Sequence, residues 1–252
     1  PKAEDELRQA IEDSRGDSAA LVRNLQAFLN KYPDTARKTD IYRALVEANL
    51  QLRDKASAAA YAERIIALSP NDLSMTLLTV QLLDHTGDTD ALKRAVSYAT
   101  RVLEYLQRQS PAEKSPRISL QQWENEHKRI QTTVLMLRGQ LYRRQNDLKN
   151  ASADFQASYD LLPASGPAEN LGEIAELQKD LSRAVTLYAR AFLLVDPSSD
   201  PATRRNVRRK LGNAWRLAHG SEDGLGEFLL RAFDEMATAA GVPVSQYNPG
   251  AR

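Results

Sequence analysis

The chain has 252 residues, 42% of them hydrophobic, enough for one large domain or two small ones and too apolar for a disordered segment. With 34 Lys and Arg against 33 Asp and Glu, its formal net charge is +1, so the balance calls for neither nucleic acid nor an anionic membrane as partner. There is no cysteine, which removes disulfides, zinc-thiolate sites and cysteine nucleophiles, and no apolar run approaches the ~20 residues of a membrane-spanning helix.

The chain starts at Pro1 rather than Met and shows no signal-peptide pattern, so a trimmed N-terminus is expected. A first helix is predicted over about Ala3 to Ser14, with Leu7, Ala10 and Ile11 as its apolar stripe. Gly16-Asp17 follows, and Asp17 is placed to cap the next helix by accepting from its free amides. That helix carries Leu21, Leu25 and Phe28 at i, i+4 and i+7 and stops at Tyr32-Pro33.

The same phrase recurs along the chain. Asp17, Asp54, Asp88, Asp147 and Asp180 read as caps, and Pro33, Pro70, Pro111, Pro163 and Pro197 as stops, at spacings of 16, 16, 23, 16 and 17 residues. Between them lie triplets at i, i+4 and i+7: Ala58, Ala62, Ile65; Ala95, Ala99, Val102; Ala151, Phe155, Ser158; and Ala184, Tyr188, Ala191. The small first residue lets two helix axes approach where Leu would hold them apart. Successive caps are 37, 34, 59 and 33 residues apart.

The interval of 59 marks an insertion at about 107–130. Ser110, Pro111, Ser115 and Pro116 punctuate a polar, non-helical stretch. Leu120, Trp123, His127, Ile130, Val134, Leu137 and Leu141 then alternate in steps of three and four, a coiled-coil-like seam. One helix from about Ser119 to Gln145 is predicted, roughly 40 Å long at ~1.5 Å per residue, its first half overhanging the stack or covering the insertion. From Arg138 to Pro163 runs the most regular helical hairpin, with Gly139 and Tyr142 before the stop-start pair Asn146-Asp147. After a turn at Ser198–Pro201 comes a basic helix, with Arg204 and Arg208, and Arg205 and Arg209, forming two ridges beside Lys210. Gly220–Gly224 is a turn, Phe228, Leu229, Ala232, Phe233 and Met236 define a last amphipathic helix, and Gly241–Arg252 has the composition of a linker.

The chemistry-bearing residues do not converge. His85, His127 and His219 fall on separate repeats, and there is no HExxH, GxSxG or GxxxxGK[ST]. Gly224-Leu225-Gly226 reads as a loop, and Gly87-Asp88-Thr89-Asp90 as a helix cap rather than a calcium loop. His127 is expected to be a partly buried histidine with a hydrogen-bond partner rather than a pH-sensitive contact, and Trp123 to be packing rather than a ligand platform. No catalytic residue, metal or cofactor is therefore expected. The basic run reads either as a solvated face neutralised by Glu222 and Asp223 or as a site for an anionic partner segment.

The ~34-residue interval resembles that of the tetratricopeptide repeat. Gly139, Tyr142, Ala151, Phe155 and Pro163 match its small, aromatic, small, aromatic and proline positions. Leu171, Gly172, Ala184, Tyr188 and Ala191 match again, and Leu211-Gly212-Asn213-Ala214-Trp215 resembles a further first helix, whereas Arg138 replaces the usual Leu. The resemblance implies an all-α, right-handed solenoid of five to six helix-turn-helix pairs over residues 1–240. It implies a scaffold or adaptor, not an enzyme, holding a protein or peptide in a groove lined by the first helices. Positions carried over to that groove include Arg43, Glu47, Gln81, Gln140, Arg143, Arg144, Glu173, Arg209, Asn213 and Arg216, with Arg205 added from the basic run. Only Arg209 and Asn213 approximate the carboxylate clamp of chaperone-binding members, so chaperone tails are not expected.

A shorter run, Gly224 to Leu230 followed by Ala232-Phe233-Asp234, is similar to repeat regions that precede thioredoxin-like domains in exported bacterial proteins. It implies an alternative: an accessory domain of a longer exported or periplasmic enzyme, with any redox motif beyond Arg252. A third reading is self-association through the last amphipathic helix.

Overall fold

A computed structural model of the chain describes residues 2–239; the expected linker at 241–252 lies outside the described residues. Within them are twelve α-helices and no strand. The helices are α1 (Lys2–Glu12), α2 (Ser18–Lys31), α3 (Lys38–Gln51), α4 (Lys55–Leu68), α5 (Leu73–Thr86) and α6 (Thr89–Arg108), then α7 (Leu120–Arg144), α8 (Leu148–Leu161), α9 (Ser165–Leu177), α10 (Leu181–Leu193), α11 (Pro201–His219) and α12 (Leu225–Ala239). They form the all-α solenoid of helix-turn-helix pairs, with one insertion between α6 and α7 and one extended helix.

The turn inside each of the first five pairs is built the same way. Asp17, Asp54, Asp88, Asp147 and Asp180 cap α2, α4, α6, α8 and α10, each side chain accepting from backbone amides of the first turn. The residue before each aspartate is left-handed: Gly16 (φ 80°), Arg53 (φ 59°), Gly87 (φ 73°), Asn146 (φ 59°) and Lys179 (φ 63°). That conformation ends one helix, and the aspartate starts the next. Two caps escaped the sequence pattern: Asp72 caps α5, and Asp200 caps α11 ahead of Pro201. Both open first helices, whereas the recurring aspartates all open second ones.

The chain divides into two compact units. One takes residues up to His127 together with Gln140–Asn146; the other takes Lys128–Gly139 and the chain from Asp147 onward. Helix α7 therefore supplies residues to both. In the first unit α3 packs on α4, α4 on α5 and α5 on α6, around Leu25, Leu45, Ile65 and Ile66, all essentially fully buried. Its insertion holds a single 3-10 turn (Pro111–Glu113), closed by a Ser110 capping box. Lys114 donates to the Ile118 carbonyl at 2.9 Å. Ser119 and Gln145, the expected ends of the long helix, are the caps of α7. Its seam is buried only in part: Val134 and Leu141 are fully enclosed, but Leu120 is 49% exposed. Trp123 and His127 are half-buried and stacked on one another at 3.8 Å. The hydrogen bond expected of His127 is not made at Nε2, which is buried without a partner among the described residues.

In the second unit α9 packs on α8 and α10, and α10 on α11. The small–aromatic pairs explain the close approach. A Cβ added to Gly139 would lie 2.6 Å from the Phe155 ring, and one added to Gly172 would lie 2.8 Å from Tyr188. Ala151, Ala184, Ala191 and Ser158 are completely buried beside them. Burial, with the hydrogen bond to Glu176 at 2.8 Å, pushes the Tyr188 phenol far above its ordinary pKa. Arg138, where the resemblance expects Leu, is 18% exposed and its Nε and Nη2 each donate to Asp154 of α8 at 2.7 Å. The bidentate fork satisfies a carboxylate that is itself only 8% exposed.

Candidate protein-interaction surface

The residues expected to meet a partner fall in both units. In the first, Arg43 of α3 donates to Asp72 at 2.5 Å. Because Asp72 also accepts from the Met75 amide at 3.0 Å, Arg43 braces the cap of α5. Arg144 ends α7 and its Nη1 donates both to the Asp84 carbonyl and to Asp84 Oδ1. Gln140 and Arg143 are half-buried on the same helix. Arg43 and Arg144 are thus engaged within their own unit, each by a residue of another element.

Arg205, Arg209, Asn213 and Arg216 share one helix, α11. Along α11 the basic residues divide by what they touch. The Arg204 guanidinium lies 4.8 Å from the centre of the Phe192 ring. Lys210 Nζ reaches Glu169 at 2.5 Å and also bonds Glu173, so it ties α11 to α9. Burial works against that ammonium charge, but the hydrogen bonds to Glu169 and Glu173 outweigh it and hold its pKa above the ordinary value. Arg216 is held by Glu222 at 2.7 Å and by Asn213 at 2.6 Å. Arg209 is exposed and donates only to Asn206, at 2.7 Å, while Arg205 makes no ion pair among the described residues.

Arg205 and Arg209 are thus exposed arginines of α11 without an acidic partner among the described residues, and they are neighbours; Arg208 is half-buried. Arg205, Asn206 and Arg209, with Ala202 and Thr203, line an open depression of about 490 Å³ on the exposed side of α11. Rows one helical turn apart place Arg205 and Arg209 on one ridge. Such a ridge offers paired N–H forks to carboxylates one turn apart on a partner. Periodicity found the basic helix. It missed that Lys210 and Arg204 are spent internally, because their partners lie on other helices.

Other candidate chemistry resolves into structure. Among the described residues no cluster of His, Cys, Asp and Glu could hold a metal ion. Asp88 accepts from Asp90 N at 3.3 Å and Ala91 N at 3.2 Å, which is helix-cap geometry. His219 stacks on Trp215 at 3.9 Å. Gly224 turns the chain into α12 with φ 78°, so the run from Gly224 to Leu230 forms the start of that helix. No helix among the described residues is long and apolar enough to cross a membrane.

No protein-family model matches the chain, and no curated protein matches it. Solved structures do. BtubC (BKLC) from P. vanneervenii superimposes with a TM-score of 0.54 at 15% identity, over 98% of this chain and 95% of that one. A MamA protein gives 0.53 at 11% identity, over 81% of this chain and 92% of its own. MamA 41-end from Desulfovibrio magneticus RS-1 gives 0.51 at 15% identity, over 79% and 96%. At these identities the likeness is one of fold. Together with the repeated Asp caps and the Gly139–Phe155 and Gly172–Tyr188 contacts, it gives the chain the tetratricopeptide-repeat fold.

Proposed function

We propose that this chain is a protein-interaction scaffold whose α11 ridge holds an acidic segment of a partner. The observation that carries the proposal is the pair Arg205 and Arg209: one helical turn apart, exposed and without an acidic partner among the described residues, on a helix where Arg204, Lys210 and Arg216 are engaged. A repeat array presents wide surfaces made of several helices and is suited to holding an extended segment. Guanidinium forks would give that segment direction as well as attraction.

The test compares the wild-type chain with Arg205→Glu/Arg209→Glu in capture from native extract, with bound proteins identified by mass spectrometry. Both side chains are exposed, so reversal should leave the fold intact, with an unchanged helical circular-dichroism signal. The expected result is loss of one or more specific partners in the double variant, and weaker capture by the wild type as salt rises. Identical recovery by both proteins at low and high salt would sink the reading.

A further inference from the structure

Helix α12 does not sit where its sequence register would place it. In the α7–α8 and α9–α10 pairs a glycine packs on the aromatic sixteen residues later, Gly139 on Phe155 and Gly172 on Tyr188. Gly212 has Phe228 at the same spacing, yet the neighbours of a Cβ at Gly212 would be Arg208 and Glu222. Phe228 instead lies against Trp215, ring centres 5.1 Å apart. The turn explains the difference. Helices α7 and α9 stop five residues after their glycines, and the next helix starts after three residues; α11 continues to His219, and the turn at 220–224 takes five. Helix α12 therefore begins about one helical turn late. Arg231 also falls where Ser158 and Ala191 are completely buried in the two regular pairs, a place with no room for its side chain.

The consequence is a slot between α10 and α12. It has a volume of about 680 Å³. One wall is a single face of α10 (Thr186 and Arg190) continued by its C-cap residue Leu194, and the other is a face of α12 running from Phe228 to Ala239 at steps of three and four; Tyr159 and Pro163 close one end. Twelve residues of helix make a wall about 17 Å long at 1.5 Å per residue, which is three turns. Two near-continuous helix faces with a gap between them form the groove that an amphipathic helix fills with i, i+3, i+4 and i+7 anchors.

Charge selects the occupant. Arg190 and Arg231 both line the slot and neither makes an ion pair among the described residues, against one acid, Glu235. The chain's own segment 240–252 contains no Asp or Glu and one Arg, so it does not complement that lining. We propose that the slot between α10 and α12 docks an acidic amphipathic helix of a partner protein. Apolar side chains of that helix pack on Leu194, Phe228 and Met236, and its carboxylates pair with Arg190 and Arg231. The proposal rests on the interaction-scaffold reading but uses a different face from the α11 ridge.

The experiment is selection of a random peptide-display library on the full chain, followed by anisotropy titration of the enriched synthetic peptides. The expected peptides are amphipathic, with acidic residues beside apolar anchors. Their affinity falls about tenfold or more in Arg190→Glu/Arg231→Glu, and less in Arg190→Gln/Arg231→Gln. It is unchanged in Arg205→Glu/Arg209→Glu, with circular dichroism verifying that every variant is folded. Enriched peptides lacking acids, no enrichment, or affinities insensitive to the groove variants would overturn the proposal. Loss of binding in the α11 variants alone would overturn it while leaving the scaffold reading standing. Much tighter binding by a chain ending at Ala239 would name the 240–252 segment as the occupant. A dimer that dissociates on Arg190→Glu/Arg231→Glu would name a second copy. Either result would overturn an acidic partner helix.

Discussion

Arg53 and Lys179 hold left-handed backbone at φ 59° and φ 63°, a conformation that costs an L-residue with a Cβ about 1–2 kcal/mol. The equivalent positions Gly16 and Gly87 avoid that cost, and Asn146 reduces it through its short polar side chain. Glycine also adds entropy to the unfolded chain, so the net gain from Arg53→Gly or Lys179→Gly should be about 0.5–1 kcal/mol. That corresponds to a rise in Tm of roughly 2–4 °C for each kcal/mol in a chain of this size. Asn146→Gly should gain less. Thermal melts of the three variants check this; no rise in the first two would mean that their side chains make compensating contacts. These positions were half legible. The sequence shows an aspartate after each turn, but a positive φ at Arg or Lys leaves no compositional mark.

At the scale of the helix pair, Arg138 and Asp154 join α7 to α8 inside a core that elsewhere is packed by alanine and aromatic rings. Removing one partner strands the other with little water to solvate it. Arg138→Leu alone should cost about 3–5 kcal/mol, whereas Arg138→Leu/Asp154→Leu should recover most of that loss and could match or exceed the wild type. Urea unfolding of the wild type, both single variants and the double variant closes the cycle. A single-variant loss below about 1 kcal/mol would show that the pair is solvated and unimportant. Arg138 stood out in the sequence only as a departure from the repeat pattern. Its partner, sixteen residues on and across a turn, could not be read from one helix's periodicity.

Among the described residues the longest interval between α-helices is the insertion between α6 and α7, where Arg117 sits in an exposed turn. Protease sites concentrate in such loops because the backbone there can adapt to the protease without unfolding a helix. Brief trypsin treatment under native conditions should therefore cut after Arg117 before any site within α7 or α11. Mass spectrometry of the first fragments tests this, and an earlier cut inside α7 would mean that the first half of that helix opens more readily than the loop. The insertion was legible because polar residues and two prolines interrupt an otherwise periodic chain.

By itself the sequence determined the helix pairs, the turns between them and the place of the insertion. These depend on effects that act within a turn or two: an aspartate accepting from nearby amides, a proline ending a helix, a glycine admitting a ring. The tertiary structure alone decided which cations are free and where α12 lies. Arg43 is bound by a residue 29 positions away and Lys210 by one 41 positions away, so neither pairing leaves a trace in local periodicity. For α12 the Gly212–Phe228 spacing promised a regular last pair. A turn two residues longer and an arginine too large for a buried site moved the helix onto α10 instead, because packing volume, not spacing, has the final say when a helix docks.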